Sequence, residues 1–224
     1  MVAGGSGRRF GGRKQFLPLA GYPVASWSVR AARTVADGVV LVVPAVDAED
    51  PTGTLGAVPS AGSTGDAALG ATTVVTGGAT RADSVRAGLA AVPDDASVVV
   101  VHDAARPLAG ADLFAAVVDA VRTGDTDGVV PVVPVADTLK RGVGNRVAAT
   151  LDRADLVAVQ TPQAFAATAL RAAHAAGGDA TDDAGLLELA GLVVGTVPGD
   201  PGNLKLTRPE DLALALALLT GARA

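Results

Sequence analysis

The sequence predicts an α/β fold in which helices cover both faces of a doubly wound, mostly parallel sheet. Apolar runs of strand length recur along the chain, and they are continuous and Val-rich rather than alternating, as in strands buried on both faces. Helix-like segments lie between these runs, so the chain follows the order of βαβ units with right-handed crossovers. The length of 224 residues suits one domain with a continuous core, and we assign residues 1–224 to it.

Local patterns give the individual elements. Short apolar runs predict strands at residues 39–43, 73–75, 98–101, 129–135, 156–159 and 192–197. The segments between and after them predict helices at residues 25–36, 81–91, 111–122, 166–176, 182–190 and 208–219. The last helix has a start signal, because Thr207 and Glu210 have the spacing of a capping box. Residues 44–71 are rich in Gly, Ala, Ser, Thr and Asp, and predict a helix and a surface loop.

Residues 138–152 interrupt this alternation. The turn signal Gly-Val-Gly-Asn at 142–145 separates two short segments, a pattern that predicts a projecting β-hairpin. An arm that leaves a compact domain has little of its own chain to pack against. We therefore expect residues 138–153 to form a dimerisation arm that a second subunit supports.

Composition excludes several classes of function. The chain has no cysteine, and therefore no disulfide framework, thiolate nucleophile or thiolate metal site, which fits a reducing cytoplasm. The net charge of -5 argues against a nucleic-acid partner, and no apolar stretch is long enough to predict a membrane partner. An anionic ligand would thus need locally gathered positive charge.

Such a gathering occurs in the glycine-rich loop at residues 3–15, Ala-Gly-Gly-Ser-Gly-Arg-Arg-Phe-Gly-Gly-Arg-Lys-Gln. The chain has 18 Lys and Arg, and four of them lie within residues 8–14, beside five glycines. Glycine lets backbone N–H groups approach a polyphosphate closely. The loop lacks the Gly-Lys-Ser/Thr of a Walker A motif, and a dinucleotide fingerprint starting at Gly5 would have Phe10 in place of its third glycine. A solvated basic loop without function is the alternative.

The loop resembles the nucleotide-binding signature of sugar-phosphate and polyol-phosphate nucleotidyltransferases. Six further motifs follow in the order of the methylerythritol phosphate cytidylyltransferases, and the resemblance runs nearly end to end: Gly-Gly with Arg-Ala-Asp-Ser-Val at 77–85, His-Asp-Ala-Ala-Arg-Pro at 102–107, Asp-Thr-Leu-Lys at 137–140, Thr-Pro-Gln at 161–163, Thr-Asp-Asp at 181–183 and Asn-Leu-Lys-Leu-Thr at 203–207. The resemblance implies a Rossmann-like fold of the nucleotidyltransferase type. Three features depart from the family: only Met1 and Val2 precede the loop where a full strand is usual, Arg13 replaces a Pro, and Ala79 replaces an acidic residue.

The family reaction is attack by a phosphomonoester oxygen on the α-phosphorus of CTP, with release of pyrophosphate. The nucleophile needs no enzymic base, because the second pKa of a phosphomonoester is roughly 6. The reaction does need neutralisation of two crowded anions, which Lys, Arg, backbone N–H groups and Mg²⁺ supply. The resemblance therefore implies CTP and methylerythritol phosphate as ligands, Mg²⁺ or another divalent cation as cofactor, and a homodimer.

The resemblance also implies roles for single residues. The catalytic group is Arg9, Lys14 and Lys205. The nucleotide-binding group is Ala3, Gly4, Gly5, Gly7, Gly78, Ala79, Ser84, Asp103 and Ala104, with Asp103 as the metal ligand. The substrate-binding group is Arg106, Thr138, Arg153, Thr161 and Thr181, and Arg153 would reach the substrate of the neighbouring subunit.

Structural roles compete with some of these assignments. Asp103 could cap its strand or pair with Arg106, and Asp83 could merely cap a helix together with Thr80. Arg153 could form a surface ion pair with Asp152 or Asp155. We expect His102 to be a hydrogen-bonded filler beside a buried strand, and the sequence gives no role for His174.

Three other functions stay open. A ribitol 5-phosphate cytidylyltransferase would share the loop and the arm, but tends to have Val at the position of Ala105. A dinucleotide-dependent oxidoreductase is opposed by the missing third glycine and the basic cluster. A noncatalytic nucleotide-binding protein would have no reason to retain Lys205, Thr138 and Arg153 together.

Overall fold

The computed structural model describes residues 1–4, 10, 14–45, 72–178 and 180–221. The strands are β1 Pro18–Leu19, β2 Tyr22–Pro23, β3 Val39–Val43, β4 Thr72–Thr76, β5 Val98–Val101, β6 Gly128–Pro134, β7 Lys140–Val143, β8 Arg146–Thr150, β9 Val157–Val159, β10 Gln163–Ala166 and β11 Val194–Pro198. The helices are α1 Val24–Ala32, α2 Arg81–Ala90, α3 Ala111–Thr123, α4 Ala167–Ala176, α5 Asp183–Leu189 and α6 Asp211–Gly221, and a 3₁₀ turn spans Lys14–Phe16. The predicted elements of residues 46–71 lie outside the described residues.

The central sheet is mostly parallel, as predicted. Strand β4 pairs with β3 and β11 pairs with β6, both in parallel. Strand β10 lies antiparallel between β5 and β6, so those two strands run in the same direction. The short β9 adds a second antiparallel pairing on β6. The α/β fold class is confirmed. The sequence analysis missed β10 because its four residues include the polar Gln163 and run directly into the helix that begins at Ala167.

Residues 1–3 join the two halves of this sheet. Val2 forms parallel bridges with Val42 at the end of β3 and with Asp103 just beyond β5. The N–H of Val2 donates to the carbonyl of His102 at 2.8 Å, and the N–H of Ala3 donates to the carbonyl of Val42 at 2.8 Å. The start of the chain therefore takes the place of a central strand, in the order β4, β3, residues 1–3, β5, β10, β6, β11.

Helices pack on both faces of the sheet because neighbouring strand residues point to opposite sides. On one face, α2, α4 and α5 contribute residues to a core with Val99, Val101 and Phe165. On the other face, α3 packs against Val129 and Ala164. Strands β5 and β6 thus contribute residues to the cores on both faces, which is the doubly wound arrangement that the sequence predicts.

The arm is a β-hairpin, as predicted. Strands β7 and β8 pair antiparallel, and all of their residues are exposed. Gly144 has a φ of 59°, a left-handed conformation that favours glycine in the turn. None of the helices within the described residues is long and apolar enough to cross a membrane.

The predicted capping box of the last helix is wrong. Helix α6 begins at Asp211, and the carboxylate of that residue accepts hydrogen bonds from the N–H groups of Thr207 and Arg208 and from the hydroxyl of Thr207. Asp211 lies one position beyond Glu210, and its carboxylate satisfies these donors at the start of the helix.

Candidate active site

The site is built around Asp103, the second residue after β5, at the carboxyl ends of the central strands. One carboxylate oxygen of Asp103 lies 2.6 Å from Nζ of Lys205, and the other lies 3.5 Å from Nε of Arg81. Burial alone would raise the pKa of Asp103, but Lys205 and Arg81 outweigh it and lower that pKa to about 2. Asp103 is therefore a firmly ionised carboxylate, and its ion-pair partners are these two cations rather than Arg106.

His102 precedes Asp103 in the chain, is fully buried, and is linked to the backbone of Asp103 by hydrogen bonds through Thr161. Its Nε2 lies 3.2 Å from the carbonyl of Arg106, which can only accept, so Nε2 carries the hydrogen and Nδ1 accepts. The hydroxyl of Thr161 then donates to Nδ1 at 3.1 Å and accepts from the N–H of Asp103 at 3.1 Å. Burial lowers the pKa of His102 to about 3, so the ring is neutral at neutral pH. The predicted role of His102 as a hydrogen-bonded filler is confirmed.

The segment at residues 203–206 lies against the segment at 103–106. Arg106 donates to the carbonyl of Asn203 at 2.7 Å, and the N–H of Leu206 donates to the carbonyl of Ala105 at 2.8 Å. Burial lowers the pKa of Arg106, as expected for a cation that is partly removed from water. This pairing places Lys205 directly opposite Asp103.

Lys14 approaches the same segment from the other side. Its Nζ donates to the carbonyl of Leu206, and it belongs to the 3₁₀ turn that follows the glycine loop. The buried Gln15 anchors this turn by donating to the carbonyl of Ala3 at 2.6 Å. The structure thus brings Lys14, Arg81, Asp103, Arg106 and Lys205 together, and we call these five residues the Asp103 cluster.

The nucleotide-binding residues predicted near α2 also converge. Buried Ser84 accepts from the N–H of Gly78 at 3.2 Å and donates to the carbonyl of Thr80 at 3.0 Å. A Cβ on Gly4 would lie 3.1 Å from the Ser84 hydroxyl, and one on Gly78 would lie 2.2 Å from Cβ of Asp83, so both positions require close backbone approach.

Two neighbouring assignments complete this part of the site. Thr80 and Asp83 form the predicted capping box at the start of α2. Ala79 is exposed beside Gly78, and buried Ala104 donates its N–H to the carbonyl of Val2 at 3.0 Å. Gly5, Gly7 and Arg9 lie outside the described residues.

Three predicted substrate residues have no contact with Asp103 within the described residues. Thr138 is exposed at the base of the arm, and Thr181 is exposed just before α5. Arg153 donates to the carbonyls of Val135 and Ala136 instead of pairing with an aspartate. No contact within the described residues joins any of the three to Asp103.

Sequence reasoning missed a buried extension of the cluster. Arg81 also pairs with Asp183, with 2.8 Å between Nη1 and Oδ2, and Nε2 of His174 lies 2.9 Å from the other oxygen of Asp183. Arg81 and Asp183 each occupy the first residue of a helix inside a motif that resembles the family. That shared placement was the available signal, but sequence alone does not show that α2 and α5 begin side by side.

A cavity of about 650 Å³ lies beside Met1 and extends along β5 as far as His102. None of the predicted site residues lines it.

Fold and site together define an α/β protein of the nucleotidyltransferase type. The chain matches the family "IspD: 2-C-methyl-D-erythritol 4-phosphate cytidylyltransferase" over residues 1–221, and it belongs to that family.

Individual relatives agree with this assignment. The chain is 46% identical to the 2-C-methyl-D-erythritol 4-phosphate cytidylyltransferase of Nocardia farcinica, covering 97% of this chain and 91% of the relative. It is 45% identical to the bifunctional enzyme IspD/IspF of Solidesulfovibrio magneticus, covering 95% of this chain but only 54% of that relative. A crystal structure of the cytidylyltransferase from Thermus thermophilus matches with a TM-score of 0.78 and 33% identity, covering 98% of this chain and 97% of that one.

Proposed function

We propose that this protein transfers the cytidylyl group of CTP to 2-C-methyl-D-erythritol 4-phosphate and releases pyrophosphate, as a step of non-mevalonate isoprenoid precursor biosynthesis. Family membership supports the proposal. The observation that carries it is the meeting of Lys14, Arg106 and Lys205 around the carboxyl ends of the central strands, where α/β folds bind their ligands. Three cations from distant parts of an acidic chain suit two anionic phosphates.

The chemistry asks for positive charge rather than for a base. The attacking phosphomonoester is already largely dianionic near neutral pH, since its second pKa is roughly 6. Lys205 is 42% exposed at its side chain and faces the open side of Asp103, so it is available to a phosphate. Lys14 and Arg106 flank it, and together they would stabilise charge that develops on the α-phosphate and the leaving group. The one described histidine nearby, His102, is buried and neutral, which agrees with a reaction that needs no general base.

The nucleotide would lie between the glycine loop and α2. Gly4, Gly78 and Ser84 form a close-packed wall of backbone and one hydroxyl, in which a Cβ would overlap Asp83 at Gly78 and crowd the Ser84 hydroxyl at Gly4. Such a wall suits a flat base that is recognised by backbone groups. We assign it to cytosine.

A divalent cation fits this site in one specific way. Within the described residues, no group of three or more His, Cys, Asp or Glu could hold a metal ion. Mg²⁺, however, is often held by one or two carboxylates together with substrate phosphates. Asp103 is ionised and stands beside the proposed phosphate position, so it would hold the ion jointly with CTP. The bound ion would neutralise phosphate charge during the transfer.

The arm would complete the polyol phosphate site in a homodimer. Its exposed strands include Val143 and Val147, which are 65% and 67% exposed and suit burial against a second subunit. Arg153 and Thr138 lie at the base of the arm, and neither contacts Asp103 within the described residues of its own chain. We assign these two residues to the methylerythritol phosphate of the partner subunit. Thr181 would serve the substrate of its own chain, and the buried Thr161 would support that site through its hydrogen bonds to His102 and Asp103. The cytoplasmic location stays a prediction from the sequence.

A pyrophosphate-release panel tests the function. The purified protein with Mg²⁺ is given each of four nucleoside triphosphates with methylerythritol phosphate or ribitol 5-phosphate. We expect release only with CTP and methylerythritol phosphate, and equal turnover with ribitol 5-phosphate would overturn the substrate assignment. CTP binding without turnover on either polyol would instead favour a noncatalytic nucleotide-binding protein.

A further inference from the structure

The buried end of the charge network starts at His174 and reaches the Asp103 cluster through two residues. His174 contacts Asp183, Asp183 pairs with Arg81, and Arg81 contacts Asp103. The four residues come from α4, the start of α5, the start of α2 and the end of β5. An unbroken chain of polar contacts thus links a helix that has no part in the proposed chemistry to the central carboxylate.

Arg81 is shared unequally between two carboxylates. Its Nη1 lies 2.8 Å from Asp183, while its Nε lies 3.5 Å from Asp103. Arg81 thus forms its closer ion pair with Asp183, whose side chain is 1% exposed, and a longer hydrogen bond with Asp103.

The position of Arg81 has an electrostatic cost of its own. Arg81 is the first residue of α2, and a cation at a helix N-terminus is disfavoured by the helix dipole. A buried aspartate is likewise unfavourable unless it is paired and hydrogen-bonded. Asp183 meets both conditions, because Arg81 pairs with one of its oxygens and Nε2 of His174 is hydrogen-bonded to the other.

We propose that Asp183 and His174 are positioning residues that hold Arg81 against one oxygen of Asp103 and so keep the other oxygen turned toward Lys205 and the phosphates. If Asp183 loses its charge, Arg81 is free to form a bidentate salt bridge with Asp103. A bidentate salt bridge is stronger than a single hydrogen bond between a guanidinium and a carboxylate. That pair would draw the carboxylate away from Lys205. The inference deepens the proposed function, because it assigns the residues that orient its central carboxylate.

A double-mutant cycle separates this role from a merely structural one. We expect Asp183→Asn to lower kcat about tenfold in the wild-type background and to have almost no further effect in an Asp103→Asn background, because residues that act through one another are not additive. Equal fold losses in both backgrounds would overturn the proposal. Calorimetry also measures the Kd for CTP of the same variants, and this measurement requires no turnover. If the wild-type chain binds CTP but turns over no polyol phosphate, the proposed function fails while the cycle still decides this inference.

Two further variants guard against loss of folding. His174→Gln removes the ring but retains all three charges, and we expect a loss of about threefold in kcat that also vanishes in the Asp103→Asn background. It replaces Asp183→Asn in the cycle if that variant does not fold.

Arg171→Gln is the matched control on the same helix, since Arg171 donates to the carbonyls of Leu89 and Val92 and has no contact with Asp103 among the described residues. It should lower the melting temperature and leave kcat and the Kd for CTP unchanged, and a loss of kcat equal to that of His174→Gln would contradict the assignment.

Discussion

The Asp103 cluster and the arm, residues 138–153, are held in opposite ways. Within the cluster, the side chain of Asp103 is 14% exposed and contacts cations from two other parts of the same chain. In the arm, all residues of β7 and β8 are exposed, and Arg153 contacts backbone carbonyls of its own base. Contacts within one chain therefore hold the Asp103 cluster in place, whereas the arm has no packing partners among the described residues.

This difference suggests a division of labour. A preorganised group of charges suits the phosphates of the nucleotide, since charge stabilisation works best when the charges need not move. An exposed arm with apolar side chains suits a surface that a second subunit covers. We therefore expect variants of the cluster to impair chemistry within each chain, and variants of the arm to act through the dimer.

The largest effect should come from Lys205→Ala. The change removes the cation 2.6 Å from Asp103 and leaves that carboxylate facing the phosphates alone. We expect kcat to fall about 10²- to 10³-fold, in the range seen when one charge-stabilising group is removed. Pyrophosphate release measures the loss, and thermal melting checks the fold.

Lys140→Ala is the matched control in the arm, where the ammonium of Lys140 donates to the hydroxyl of Thr150 at 2.6 Å. We expect its kcat to change about twofold at most, as for an exposed surface contact. Similar losses for the two lysines would erase the distinction between cluster and arm.

Acid should destabilise the cluster through His102. The pKa of His102 is about 3 in the folded chain and 6.5 in the unfolded chain, so the unfolded state binds the extra proton between these values. The free energy of unfolding should fall as the pH drops through 6.5 and continue to fall to about 3, by roughly 5 kcal/mol at most. The lowered pKa of Asp103 adds a smaller loss below its unfolded value of 3.8, down to about 2.

Denaturant unfolding at several pH values checks this expectation. His102→Gln should flatten the dependence between pH 6.5 and 4, whatever its effect on stability at pH 7. An unchanged slope in that variant would show that other groups cause the acid sensitivity.

The smallest effect concerns the turn of the arm. Gly144 has a φ of 59°, where a Cβ is strained although space is open, whereas Gly142 has open space and no such φ. We expect Gly144→Ala to destabilise the hairpin by about 1 kcal/mol and Gly142→Ala to be nearly neutral. Hydrogen exchange of the arm amides measures both. Equal exchange in the two variants would mean that the turn does not require glycine.

Sequence predicted the fold well where local patterns decide it. Continuous Val-rich runs placed the long strands, and the Gly-Val-Gly-Asn turn placed the arm. Sequence failed where a long-range contact decides. Strand β10 forms because β5 and β6 flank it, and its four residues give no periodicity of their own. The cap of α6 was misplaced by one residue because Glu210 and Asp211 are adjacent carboxylates, and spacing alone does not decide which of them accepts from Thr207 and Arg208.

The site shows the same limit. Lys14, Asp103, Arg106 and Lys205 were predicted from motifs, and the structure brings them together. His174 had no visible role, because its partner Asp183 lies on another helix and only the packing of α4 against α5 makes them neighbours. Buried ion pairs between separate elements leave no spacing signal in a sequence.

The most direct test of a site divided between chains uses mixed dimers. Lys14→Ala and Arg153→Ala chains are each nearly inactive if both residues serve the reaction. When the two are mixed in equal amounts and exchanged, half of the dimers are mixed, and one of the two sites in each has both residues intact if the arm acts on its partner. Pyrophosphate release should then recover to about a quarter of the wild-type rate. No recovery in dimers verified as mixed would show that Arg153 serves its own chain, and would contradict the division between cluster and arm.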